Sequence, residues 1–122
     1  MDKYTVLKKN NDFQIIFEKG HSLSGRYIVV YFLPNALQVN RYGFCVGKKI
    51  GSAVVRNRIK RVLRAVVMNQ AQETSLGVDF VIIARNPILT ADFSRINDEI
   101  SHILGIAYRK SSQAQRRTED SR

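Results

Sequence analysis

An α+β fold, with a mixed and mainly antiparallel sheet packed with helices, is predicted from three observations on this 122-residue chain. Runs of β-branched and aromatic residues alternate with segments whose apolar residues recur at helical spacing. Gly20, Pro34, Gly47, Gly51 and Pro87 punctuate the joins between these segments. Hydrophobic residues make up 44% of the chain, enough for one packed core without disulfide or metal staples.

The elements follow in order. Asn10-Asn11-Asp12 offer capping side chains ahead of Phe13, Ile16 and Phe17, and Gly20 closes this short helix. Arg26 to Leu33 is a continuous β-branched and aromatic run stopped by Pro34-Asn35, which predicts a strand covered on both faces. Arg41 to Lys48 predicts a second strand, antiparallel to the first, with Tyr42, Phe44 and Val46 on one face and Gly43, Cys45 and Gly47 on the other. Ser52 is placed to cap a helix that runs to Gln70. Val78 to Arg85 predicts another strand, and Asp92 opens a last amphipathic helix through Phe93, Ile96, Ile100, Ile103 and Leu104. The order is α-β-β-α-β-α, and its strand, helix, strand succession implies a crossover unit. Residues 1–110 form one domain; 111–122, rich in Ser, Gln and Arg, are expected to be a disordered polar tail.

Twenty Lys and Arg against ten Asp and Glu leave a net charge of +10, which on so small a surface points to a polyanionic partner. Nucleic acid fits better than a membrane surface, because a membrane-bound basic helix would carry interfacial aromatics and the chain has no Trp. The longest apolar runs fall far short of the ~20 residues needed to span a bilayer, and a cytoplasmic protein is expected. Cys45, the single cysteine, lacks the partners of a disulfide or a zinc site.

The charge concentrates on one helix. At ~100° per residue, Val55, Ile59, Val62, Leu63 and Val66 form a core-facing stripe, while Arg56, Asn57, Lys60, Arg61 and Arg64 fall opposite and Arg58 sits at the border. With Lys48 and Lys49, the segment 48–64 holds seven basic residues and no acidic one. Like charges at i,i+4, such as Arg56/Lys60 and Lys60/Arg64, repel unless an anion lies between them. The planar fork of Arg matches phosphate oxygens, and the Gly51-Ser52 helix start presents backbone N–H groups. Phe13 and Phe17 lie one helical turn apart, and Tyr27, Val29 and Tyr31 share a strand face. These residues suit a packed core, or else a groove in which rings stack on unpaired bases.

The run from Lys48 to Arg64, KKIGSAVVRNRIKRVLR, resembles the Arg-Asn-Arg signature of the bacterial ribonuclease P protein subunit. The likeness extends over about residues 5 to 110: Asn11 to Phe17 resembles that family's N-terminal helix, Arg26 to Leu33 its first strand, and Val81 to Pro87 its late strand. The resemblance implies a small protein that binds a catalytic RNA and assists removal of the 5′ leader from precursor tRNA. The enzyme would then be an endoribonuclease whose chemistry, and whose Mg²⁺, belong to the RNA, with the protein inactive alone and no obligatory protein partner. By position, Lys48, Lys49, Arg56, Asn57, Arg58, Lys60, Arg61 and Arg64 would face the catalytic RNA, and Phe13, Phe17 and Tyr31 would receive the leader. The family's left-handed βαβ crossover is also implied, against the right-handed rule that general statistics supply.

The acids agree with this division of labour. A self-sufficient nuclease needs clustered carboxylates, but here the acids are scattered, the adjacent pairs are Asp98-Glu99 and Glu119-Asp120, and neighbours on a helix point apart. His21, His102 and Cys45 read as packing or surface residues, so no catalytic or metal-binding residue is assigned to the protein. The competing reading is a noncatalytic ribosome-associated or RNA-chaperone module. A helix-turn-helix reader fits poorly, because a strand and glycines, not a helix, precede Ser52.

Overall fold

Strand β5 (Val78–Ala84) organises the molecule. Its sequence VDFVIIA is buried at six of seven positions, which only a central strand covered on both faces can achieve. Strand β3 (Ile28–Pro34) pairs with it antiparallel on one side and β4 (Asn40–Cys45) pairs with it parallel on the other. Two short edge strands, β1 (Tyr4–Val6) beside β4 and β2 (His21–Ser24) beside β3, complete the order β1-β4-β5-β3-β2. Helices α1 (Asn10–Lys19), α2 (Ala53–Gln70) and α3 (Phe93–Asp120) complete the fold, with 3₁₀ turns at Lys48–Ile50 and Asn86–Thr90. This computed structural model describes residues 4–70 and 77–120.

The mixed α+β sheet matches expectation, with corrections. The order is β-α-β-β-β-α-β-α, because β1 is too short and β2 too polar to signal themselves; they exist through pairing with β4 and β3. Two strand pairings are parallel and two antiparallel, so the sheet is mixed without an antiparallel majority. The strands on either side of Pro34 run in opposite directions but do not pair, since β5 returns from the α2 crossover and lies between them. Helix α3 continues through Ser111, which is buried, to Asp120, into the segment expected to be a disordered tail. Gln, Ala, Arg and Ser in that stretch extend a helix already formed by the stripe upstream. Residues 121 and 122 of that segment lie outside the described residues.

Alternation divides the sheet into two faces. Ile28, Val30, Phe32, Tyr42, Phe80 and Ile82 point toward α2 and α3, where Leu63, Val66, Val67, Ile100, Ile103 and Leu104 meet them. Tyr42 stacks on Phe80 at 5.1 Å between ring centroids, and its hydroxyl hydrogen-bonds that of Tyr108 at 2.9 Å. Asn40 Nδ2 donates to the same Tyr108 oxygen at 2.6 Å. Glu99, the neighbour of Asp98, reaches from α3 to accept the backbone N–H groups of Arg26, Tyr27 and Ile28 at 2.6, 2.8 and 3.0 Å. This draws Tyr27 out of the strand and into the α2/α3 core, away from the face it was expected to share with Tyr31.

Candidate nucleic-acid interface

Among the described residues, α1 is the helix that covers the second face of the sheet, with Leu7 buried ahead of it. Across this face runs a row of paired positions, Gly43 on β4, Val81 on β5 and Tyr31 on β3. Helix α1 lies along this row: Phe13 seats on Gly43, Ile16 is buried in a cluster with Val81, and Phe17 meets the Tyr31 ring edge-on at 5.0 Å. A Cβ at Gly43 would collide with the Phe13 ring, so glycine here sets how closely the helix approaches. Ile16 is the fully buried residue of the helix, whereas Phe17 stays 42% exposed. The helix starts with Lys9 at the N-cap position, which makes no side-chain cap; the expected capping residue Asp12 instead pairs with Arg41 at 3.5 Å.

Arg41 also grips buried Asp79 with two bonds, Nε to Oδ1 at 2.8 Å and Nη2 to Oδ2 at 2.6 Å, while Asn35 Nδ2 donates to Oδ1 at 2.7 Å. The bond from Asp79 holds the Arg41 guanidinium above its already high ordinary pKa, so the charge is permanent. This pair ties α1, through Asp12, to the central strand. It was missed in the sequence because an acid inside an apolar run signals nothing until its partner, 38 residues away, is known.

One step further along the strands lies a second row, Cys45, Ile83 and Val29, each only partly buried. Burial pushes the Cys45 thiol above its ordinary pKa, and the charge of Lys60 pulls it the other way. Ile83 also lines an open cleft of about 700 Å³ together with Gly47, Lys48, Lys49 and Arg85. Ile83 thus belongs both to the half-covered sheet face and to a cleft lined by the basic residues ahead of α2.

On α2, Val55, Ile59, Val62, Leu63 and Val66 pack inward as predicted, joined by Val67. Ser52 Oγ accepts the Val55 N–H at 3.4 Å, a weak form of the expected cap. Lys48, Lys49, Asn57, Arg58, Lys60, Arg61 and Arg64 are exposed. Arg56 departs from the outward face: it is half-buried, with its Nε covered and without a hydrogen-bond partner among the described residues. Arg85, not singled out from sequence, lines the cleft while its Nη1 donates to the Gly25 carbonyl at 2.6 Å; the Asn86-Pro87 turn after an apolar strand was its only signal. Among the described residues no group of three His, Cys, Asp or Glu side chains could hold a metal ion. Among them, too, no helix is long and apolar enough to cross a membrane.

Residues 1–108 match the family model described as Ribonuclease P. The ribonuclease P protein component of Caldanaerobacter subterraneus is 42% identical over 103 residues, covering 84% of this chain and 89% of that one. That of Bacillus cereus is 44% identical over 104 residues, covering 84% and 90%. Among solved structures, the Staphylococcus aureus RNase P protein superposes with a TM-score of 0.77 at 40% identity, over 84% of this chain and 94% of that one. The Thermotoga maritima protein does so at 0.74 and 31%, over 80% and 93%. With the basic helix, the sheet order and these relatives in agreement over most of its length, the chain belongs to the bacterial ribonuclease P protein family.

Proposed function

We propose that this protein binds the catalytic RNA of ribonuclease P through the exposed face of α2 and receives the single-stranded 5′ leader of precursor tRNA along the α1 side of the sheet. It thereby assists endonucleolytic removal of the leader. The observation that carries the reading is the half-covered α1 side of the sheet, where Phe17 stays 42% exposed against Tyr31 and Ile83 of the same face lines a cleft with Lys48, Lys49 and Arg85. A leader laid along this surface meets the exposed ring of Phe17 and its neighbour Tyr31 for stacking, with Phe13 holding the helix that presents them. Its phosphates pass toward Lys48 and Lys49. Asn57, Arg58, Lys60, Arg61 and Arg64, with half-buried Arg56 at the margin of that face, then meet the catalytic RNA, where phosphate oxygens relieve their mutual repulsion.

In this reading the Mg²⁺ ions that serve cleavage are held by the RNA, and the protein contributes binding and orientation. The test is cleavage of a 5′-extended precursor tRNA by a bacterial ribonuclease P RNA with and without the protein, and by the protein alone. Stimulation only in the combination is expected. RNA binding without stimulation would favour a general RNA-chaperone or ribosome-associated role, and cleavage by the protein alone would overturn the division of labour. With about five to seven phosphate contacts, log affinity falls against log salt with a slope of roughly −4 to −6; a slope near −1 removes α2 from the interface.

A further inference from the structure

The border residue Arg58 has a second neighbour besides the basic face. Between α2 and the Asn86–Thr90 turn lies an apolar groove of about 170 Å³, with Arg58 on its rim. Ile59, Ile88 and Ile96, all buried, form its base, and Leu89 and Phe93 stand at its sides, 47% and 51% exposed. Phe93 was expected to join the α3 core stripe. Instead its ring is among the most exposed of the large hydrophobic side chains described, while Ile96 and Ile100 of the same helix are buried. No carboxylate lines the groove; Asp92 beside it is paired with Arg95 at 3.7 Å.

We propose that this groove takes an unpaired nucleobase of the RNA held by α2, its ring against Phe93 and the adjoining phosphate on Arg58. The inference rests on the RNA-binding reading above and extends it to a site on the far flank of the helix, away from Lys60 and the sheet surface. Two features choose this occupant over an apolar protein segment. The rim cation continues the face that carries Arg61, one helical turn on, so a strand crossing the exposed side of α2 arrives at the groove without leaving positive charge. The volume suits one planar ring system placed against one aromatic side chain, the geometry by which unpaired bases are held without sequence-specific hydrogen bonds.

The chain contains no Trp, so a Phe93→Trp variant carries a single tryptophan, in the groove, that can be excited selectively at about 295 nm over the five tyrosines. Titrated with a bacterial ribonuclease P RNA, its emission is expected to be quenched by the stacked base as the complex forms. Phe93→Ala is expected to weaken assembly about tenfold, as loss of one stacked base does, with an unchanged salt slope. Arg58→Ala is expected to lower that slope by about one. Melting of Phe93→Ala in the free protein should match the wild type, because the ring is half exposed; a lowered melting temperature would make Phe93 structural and overturn the proposal. Assembly of the Phe93→Trp variant without quenching, together with unchanged affinity of Phe93→Ala, also overturns it. A blue shift that grows with protein concentration in the absence of RNA assigns the groove to a second copy instead. Arg61→Ala and Arg64→Ala separate the two levels: if they leave RNA affinity intact, the basic-face reading fails and the groove with it, whereas their loss beside a silent Phe93 removes the groove alone.

Discussion

The two faces of the sheet are built to different ends. On the α2/α3 side, 21 buried apolar residues join one cluster among the described residues; on the α1 side, only Leu7, Ile16 and Val81 are buried together, with Phe13, Tyr31, Cys45 and Ile83 partly covered around them. Both faces are drawn from the same strands, alternate residue by residue, so composition does not separate them. Coverage does. Two helices seal one side, and one short helix, seated on Gly43, leaves aromatic rings and a row of half-exposed aliphatic residues on the other. Stability is concentrated where water is excluded, and the surface available to a ligand is where the covering element stops short.

This contrast is open to measurement. The largest effect is expected on the sealed face: Phe80→Ala, at the centre of the Tyr42–Phe80–Tyr108 aromatic group, should cost about 3–5 kcal/mol in denaturant unfolding. Next comes the tie between the faces. Asp79→Asn leaves Arg41 with a weakened partner in a site that is 6% exposed on the carboxylate side, and a loss of about 2–3 kcal/mol is expected, with α1 loosened through Asp12. A loss confined to stability, with leader affinity untouched, would show that α1 does not depend on this tie.

On the open face the balance reverses. Gly43→Ala should cost only about 1–2 kcal/mol, because the far end of the Phe13 ring can swing away, yet it should weaken binding of a leader-bearing precursor tRNA relative to mature tRNA. Phe17→Ala should change stability by less than about 1 kcal/mol while producing the same selective loss; equal losses for both tRNAs would point to a folding defect.

The smallest effect concerns pH. Burial raises the pKa of the Tyr108 hydroxyl in the fold, which favours the neutral form. Its contribution is therefore fully present below the ordinary tyrosine value near 10 and is lost as pH rises through the raised folded value. Tyr108→Phe should flatten the decline of stability in that window, as read from melts at successive pH values.

Much of this was legible in the sequence. The stripe on α2 and its opposed basic face follow from helical period, and the alternation Tyr42/Phe44/Val46 against Gly43/Cys45 follows from strand period, because each is a property of neighbours along the chain. Phe13, Phe17 and Tyr31 were readable as a set, but not as a groove. Whether a ring on α1 is covered depends on which row of the sheet the helix crosses, and that is written in the pairing of Gly43, Val81 and Tyr31.

By itself, then, the sequence determined the helices, the three long strands, the concentration of positive charge and, through the Lys48–Arg64 motif, the family. The tertiary structure alone decided that β5 lies between β3 and β4, that Asp79 meets Arg41, that Glu99 captures three backbone amides, and that Phe93 faces outward into a groove. The physical reason is range. Periodicity, capping and charge act within a few residues and leave a local record, whereas strand insertion, buried ion pairs and coverage of a face join residues tens of positions apart and exist only once the chain has closed upon itself.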